Sequence, residues 1–232
     1  MPLADGLIVA LDLFEVENAL LLARRLRGYV SWFKVGSQLF LRGGPRVVEE
    51  LRSLGAQVFL DLKFHDIPAT VERAVRACVQ MDVGLLTVHA LGGRRMLAAA
   101  AEAAAGSKTR VLAVTVLTSL EEADLSEVGV SGSLSERVCS LAELAGDCGI
   151  RGIVCSALEL ASLRKAGILP EVVVTPGIRL ARREGDDQRR TVSPREAFAL
   201  GATHIVVGRP VLEAEDPVNL VRNLLQEESG LA

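Results

Sequence analysis

Aromatic side chains are scarce in this chain: one Trp, one Tyr and six Phe in 232 residues. So few cannot build a stacking ladder for single-stranded nucleic acid. There is no excess of basic charge either, since 26 Lys and Arg face 29 Asp and Glu for a formal net charge of −3. The basic residues are spread along the chain, so nucleic acid is not expected as a partner. Cys78, Cys139, Cys148 and Cys155 show no CxxC or metal spacing. They are expected as buried thiols in a reducing compartment. His65, His89 and His204 give no HxH or HExxH pattern, so no metal cage is expected. No apolar run reaches ~18 residues free of charge, which argues against a membrane-spanning helix. Asp5 interrupts a short N-terminus without a basic lead, so no secretory signal is expected and a cytoplasmic protein follows.

Lysine is also rare. Lys34, Lys63, Lys108 and Lys165 are the only ones among the 26 basic residues. Arg is the better bidentate clamp, whereas Lys can lose and return a proton. A chain that otherwise chooses Arg and yet places Lys34 and Lys63 at strand ends is informative.

What the chain does have is apolar and periodic. Apolar β-type runs fall at 7–12, 30–36, 56–60, 84–89, 110–117, 152–155, 171–174 and 203–207. Helical patterns lie between them at 15–27, 43–54, 71–81, after Gly92-Gly93, at 135–147, 157–166 and 194–199, with a last one after Pro210. In the first helix Leu20, Leu21, Ala23 and Leu26 are expected to face inward. Strands that are apolar throughout, alternating with helices, demand a parallel sheet covered on its outer face. The class is α/β, and eight units in this length fit one closed (β/α)8 TIM barrel spanning 1–232. An open doubly wound sheet is the alternative, but no GxGxxG follows the first strand.

In such a barrel the chemistry belongs to the C-terminal ends of the strands. Those ends carry Asp12, Lys34, Asp61 with Lys63, His89, Thr118, Arg179 and Arg209. The densest stretch is Asp61-Leu62-Lys63-Phe64-His65-Asp66-Ile67-Pro68-Ala69-Thr70. Residues two apart on a strand share a face, so Asp61 and Lys63 are expected as neighbours. Pro68 suits the first turn of the following helix. A salt bridge with a helix cap is the plain explanation of these charges. Charges gathered at a buried strand end are nevertheless costly without a purpose. Lys34, Asp61, Lys63 and Asp66 alternate in sign, so each carboxylate can lie between ammoniums. That row places a lysine as proton donor against a developing carbanion, with a spare negative charge to repel a substrate carboxylate. After the eighth strand, Gly208-Arg209 offers an anion backbone N–H groups and a guanidinium. Thr175-Pro176-Gly177-Ile178-Arg179 and Gln188 can close over the same anion. The charged segment 181–191 is expected to order when a ligand binds. His65 is expected as a hydrogen-bonded lid residue, His89 as structural, and His204 on the opposite rim.

These residues resemble one family over essentially the whole chain, the bacterial-type orotidine 5′-phosphate decarboxylases. The stretch from Asp61 to Thr70 matches that family's signature. Ala10-Leu11-Asp12, Phe33-Lys34-Val35-Gly36, Leu117-Thr118-Ser119, Thr175-Pro176-Gly177-Ile178-Arg179, Asp187-Gln188 and Val207-Gly208-Arg209 match in order. The resemblance implies decarboxylation of orotidine 5′-monophosphate to UMP without a cofactor, in pyrimidine biosynthesis. It gives Lys63 the role of protonating C6, and sets Asp61 against the leaving carboxylate. Lys34 would bond Asp61 and the ribose, and Asp12 a ribose hydroxyl. Thr118 would contact the pyrimidine amide and Pro176 the base, while Arg179, Gln188, Gly208 and Arg209 would hold the phosphate. Asp66 and Thr70 would complete the neighbouring subunit's site in a homodimer, and Ile67 is placed among the substrate contacts.

Two other readings stand beside this one. A sugar-phosphate decarboxylase or aldolase of the same superfamily would bind magnesium and carry a carboxylate where Lys34 stands. A catalytically silent nucleotide-binding barrel would have no need of Lys63 between carboxylates.

Overall fold

A computed structural model describes residues 3–168, 170–178 and 192–229. Arg179, Gln188 and the segment 181–191 therefore lie outside the described residues. Eight strands run β1 (Leu7–Ala10), β2 (Trp32–Gly36), β3 (Gln57–Phe64), β4 (Leu85–His89), β5 (Arg110–Val114), β6 (Gly152–Val154), β7 (Val172–Thr175) and β8 (His204–Val207). Each pairs in parallel with the next, and β8 closes onto β1. This is the expected (β/α)8 barrel. No helix among the described residues is long and apolar enough to cross a membrane.

Strand alternation explains why the runs are apolar throughout. Ile8, Ala10, Phe59, Leu85, Leu112, Val172, Val174 and Val206 form one buried cluster, the barrel's interior. Their neighbours Leu7, Val9, Phe33, Val58, Leu60 and Val88 belong to a second cluster beneath the helices. Both faces of every strand are thus removed from water, as a barrel with an outer helical ring requires. The same alternation continues past the apolar residues. Asp12 follows Ile8 and Ala10, Lys34 follows Trp32, and Asp61 follows Phe59, all on the inward parity.

The helices differ from expectation in instructive places. In Val16–Leu26 the buried residues are Ala19, Leu20, Leu22, Ala23 and Leu26. Leu21 is 54% exposed, a correction: Ala19, Leu22, Ala23 and Leu26 follow 3.6-residue spacing and Leu21 falls off that stripe. The chain is already helical from Ser37, ahead of the expected start at Gly43. Gly44 breaks that helix with φ 57° and ψ −152°, a conformation open to glycine, and Pro45 begins the next segment. The long connection after β5 carries a further helix at Glu122–Glu127, and the terminal segment divides into Arg209–Leu212 and Pro217–Ser229. All four cysteines are free, but only Cys78 and Cys155 are buried, whereas Cys139 and Cys148 are half-buried. Cys148 caps the end of Leu134–Asp147, where the helix reaches the surface.

Gly152 sits at a tight point of the interior. A Cβ there would come within 2.3 Å of Leu112 Cδ2 and 3.3 Å of Val172 Cβ. Gly152→Ala is expected to lower stability by about 1–3 kcal/mol through overpacking. The check is a reduced urea midpoint with an unchanged slope.

Candidate active site

The strand ends surround a cavity of about 390 Å³. Its floor is the top of the apolar interior, with Ala10, Phe59, Val114, Val154 and Val206. Above the floor stand Asp12, Lys34, Asp61 and Lys63, with Gly208 beside Asp12, and Thr118, Pro176 and Arg209 complete the lining. Eight of the residues singled out from sequence therefore meet in one place.

The charges form a row. Lys34 Nζ donates to Asp12 Oδ1 at 2.9 Å and lies 3.7 Å from Asp61 Oδ2. Lys63 Nζ donates to both Asp61 oxygens, each at 2.9 Å. The Asp61 and Lys34 side chains are only 12% and 11% exposed, while Lys63 is 38% and Asp12 51% exposed. Charges this deeply placed persist only when paired and hydrogen-bonded. A Cβ at Gly36 would fall 3.1 Å from Asp12 Oδ1 and 3.2 Å from Lys34 Nζ. Glycine there leaves the pair its room.

Asp66 is not in this row. It is exposed, its Oδ1 accepts the Ile67 N–H at 2.6 Å, and it makes no ion pair among the described residues. Within one chain the alternating series is Asp12–Lys34–Asp61–Lys63, not the expected Lys34–Asp61–Lys63–Asp66. The reason is the backbone: β3 ends at Phe64, and Asp66 follows the turn into Pro68–Gln80. Ile67 and Thr70 are exposed as well and do not line the cavity.

The neighbourhood of Asp61 and Lys63 arises differently from simple alternation. Lys63 has φ 48°, a left-handed conformation that costs a non-glycine residue about 1 kcal/mol or more. The pairing of β3 with β4 shifts between Leu60 and Phe64. Lys63 N–H donates to Thr87 Oγ1 at 2.9 Å, and Thr87 Oγ1 donates to Asp61 Oδ1 at 2.9 Å. Thr87 was not singled out from sequence. The available signal was a lone polar residue on the inward parity of Leu85 and His89.

His89 closes β4 and accepts the Leu91 N–H on Nδ1 at 3.4 Å. Its ring stacks on His65 with centroids 5.4 Å apart. His204 stands at the start of β8, on the opposite rim as expected, against Trp32.

A closed barrel with a row of alternating charges above an apolar floor is the arrangement of a (β/α)8-barrel enzyme. A family model described as orotidine 5′-phosphate decarboxylase / HUMPS matches residues 5–224. An orotidine 5′-phosphate decarboxylase of Methylacidiphilum infernorum is 51% identical over 224 residues, covering 97% of each chain. One of Chromobacterium violaceum is 48% identical over 96% of this chain and 91% of its own. The crystal structure of the Lactobacillus acidophilus orotidine 5′-phosphate decarboxylase superposes with a TM-score of 0.84 at 36% identity, covering 97% of this chain and 98% of that one. The chain belongs to the orotidine 5′-phosphate decarboxylase / HUMPS family.

Burial, and after it the positive charges of His65 and Lys63, hold the His89 imidazole below its ordinary value of 6.5. A lowered folded-state value favours the neutral ring. The stability it gives is complete above the unfolded value and is lost as pH falls below it. The His89 ring resonances are expected to titrate below 6.5, and Lys63→Ala is expected to move the midpoint upward. An unmoved midpoint in that variant, followed by NMR, would show that the ring does not sense the ammonium.

Proposed function

We propose that this chain decarboxylates orotidine 5′-monophosphate to UMP and carbon dioxide, a step of pyrimidine biosynthesis, without a cofactor. The observation that carries the reading is Lys63 Nζ, 2.9 Å from both oxygens of a largely buried Asp61 at the cavity's edge. A substrate carboxylate at C6 beside Asp61 meets a like charge. At about 4 Å and an effective dielectric of ~20, that repulsion is about 4 kcal/mol, or roughly 10³ in rate if it is relieved as carbon dioxide leaves. Breaking the C6–carboxylate bond leaves the electron pair on C6. The Lys63 ammonium stabilises that charge and then donates its proton, which leaves a neutral amine to be reprotonated from solvent.

The remaining assignments follow the resemblance. Asp12 and Lys34 meet the ribose, Thr118 the pyrimidine amide and Pro176 the base. Gly208 and Arg209, with Arg179 and Gln188, hold the phosphate. That remote binding supplies energy for the reacting end of the molecule. Lys34 Nζ, between Asp12 and Asp61, takes the electrostatic place a divalent cation would need, which favours this reading over a magnesium-dependent branch.

Orotidine 5′-monophosphate is expected to lose its absorbance with the purified protein in EDTA. Turnover only after magnesium is added would move the chain to the metal-dependent branch. Lys63→Ala is expected to lose turnover by at least about 10³-fold while UMP binding changes little. UMP binding without any wild-type turnover would mark a silent barrel.

We propose further that the working unit is a cytoplasmic homodimer of this single catalytic domain, 1–232, in which Asp66, Ile67 and Thr70 complete the neighbour's site. Their exposure, 66% for Ile67, and their absence from their own chain's cavity support this. Mixing inactive Lys63→Ala with inactive Asp66→Asn should restore about a quarter of wild-type activity, because half the dimers then hold one intact site. No recovery after subunit exchange would place Asp66 in its own chain's site.

A further inference from the structure

We infer that Thr87 is a positioning residue for the charge row, holding both the Asp61 carboxylate and the Lys63 backbone through one buried hydroxyl. It does not line the cavity.

The register of β3 against β4 makes the case. Leu60 pairs with Leu86 and Phe64 with Val88. Between those pairs, Asp61, Leu62 and Lys63 stand opposite Thr87 alone. Two residues are surplus, the strand bulges, and Lys63 takes its left-handed conformation. A bulge of this kind takes backbone N–H groups out of the ladder. The Lys63 N–H finds Thr87 Oγ1 instead, at 2.9 Å.

The direction of each bond is fixed by chemistry. A backbone N–H can only donate, so the hydroxyl oxygen accepts from Lys63. The hydroxyl's single proton is then free for Asp61 Oδ1, 2.9 Å away. The same Oδ1 receives Lys63 Nζ at 2.9 Å. Hydroxyl, carboxylate, ammonium and backbone amide close a ring around one wholly buried side chain. Without the hydroxyl, Asp61 loses the donor that sets its rotation and Lys63 loses the acceptor that holds its strained backbone.

This inference rests on the decarboxylase reading for its kinetic test. Thr87→Val keeps shape and removes the hydroxyl; Thr87→Ser keeps the hydroxyl. T87V is expected to lower kcat for orotidine 5′-monophosphate about 10- to 100-fold through misplacement of the reacting groups. KM and UMP affinity are expected to stay within about threefold, with T87S restoring kcat to within about threefold of wild type. Wild-type kcat in T87V, equal impairment in T87S, or a loss of UMP affinity matching the loss of kcat would overturn it. Hydrogen exchange of the Lys63 amide gives a readout that needs no substrate. It should quicken in T87V and not in T87S, and unchanged protection in T87V refutes the role even if the wild type proves inactive toward orotidine 5′-monophosphate. If T87V does not fold, Thr87→Cys, whose thiol bonds weakly, carries the same comparison.

Discussion

A carboxylate almost out of water governs the top of this barrel. Asp61 is 12% exposed, and a lone carboxylate so placed costs several kcal/mol. Lys63 on both oxygens, Thr87 on one and Lys34 at 3.7 Å offset that cost. Lys34, itself 11% exposed, leans in turn on Asp12. Lys34 and Asp61 are tolerable because of their partners, so deleting Asp12 or Lys63 leaves a mostly buried charge with weaker compensation. Two carboxylates and two ammoniums sum to zero. Attraction for an anionic ligand must then come from elsewhere on the rim, where Arg209 stands.

The barrel makes such a row possible by layering. Below, the interior is filled by Phe59, Leu85, Leu112 and the valines of β7 and β8. One step higher on the same inward parity the side chains become Asp12, Lys34 and Asp61. The dry floor keeps water from screening the charges from beneath, while the cavity mouth leaves Asp12 and Lys63 partly hydrated. Lys63 reaches the row only through a left-handed backbone, and that strain is held by the packed β3–β4 pair. Rigidity beneath the site is what holds reacting groups in place.

Much of this was legible in the chain. The eight apolar runs, their helical spacers and the charged residues closing the runs led to the barrel and to most of its rim, because continuous hydrophobicity and 3.6-residue spacing are local properties. The helix faces were less secure: Leu21 and Leu22 are equally apolar, and only packing against the sheet selects Leu22. Thr87 carried too little signal, since one threonine in an apolar strand is ordinary for β structure.

The sequence alone determined which residues could do chemistry and at which ends of the strands they would gather, since strand parity and chain order do not depend on distant contacts. Only the tertiary structure decided who pairs with whom. Asp12 joins the row and Asp66 does not, and Asp61 and Lys63 meet across a bulge rather than along a regular strand. The first depends on β1 lying beside β2, and the last on the register between β3 and β4, fixed by contacts some 24 residues apart along the chain.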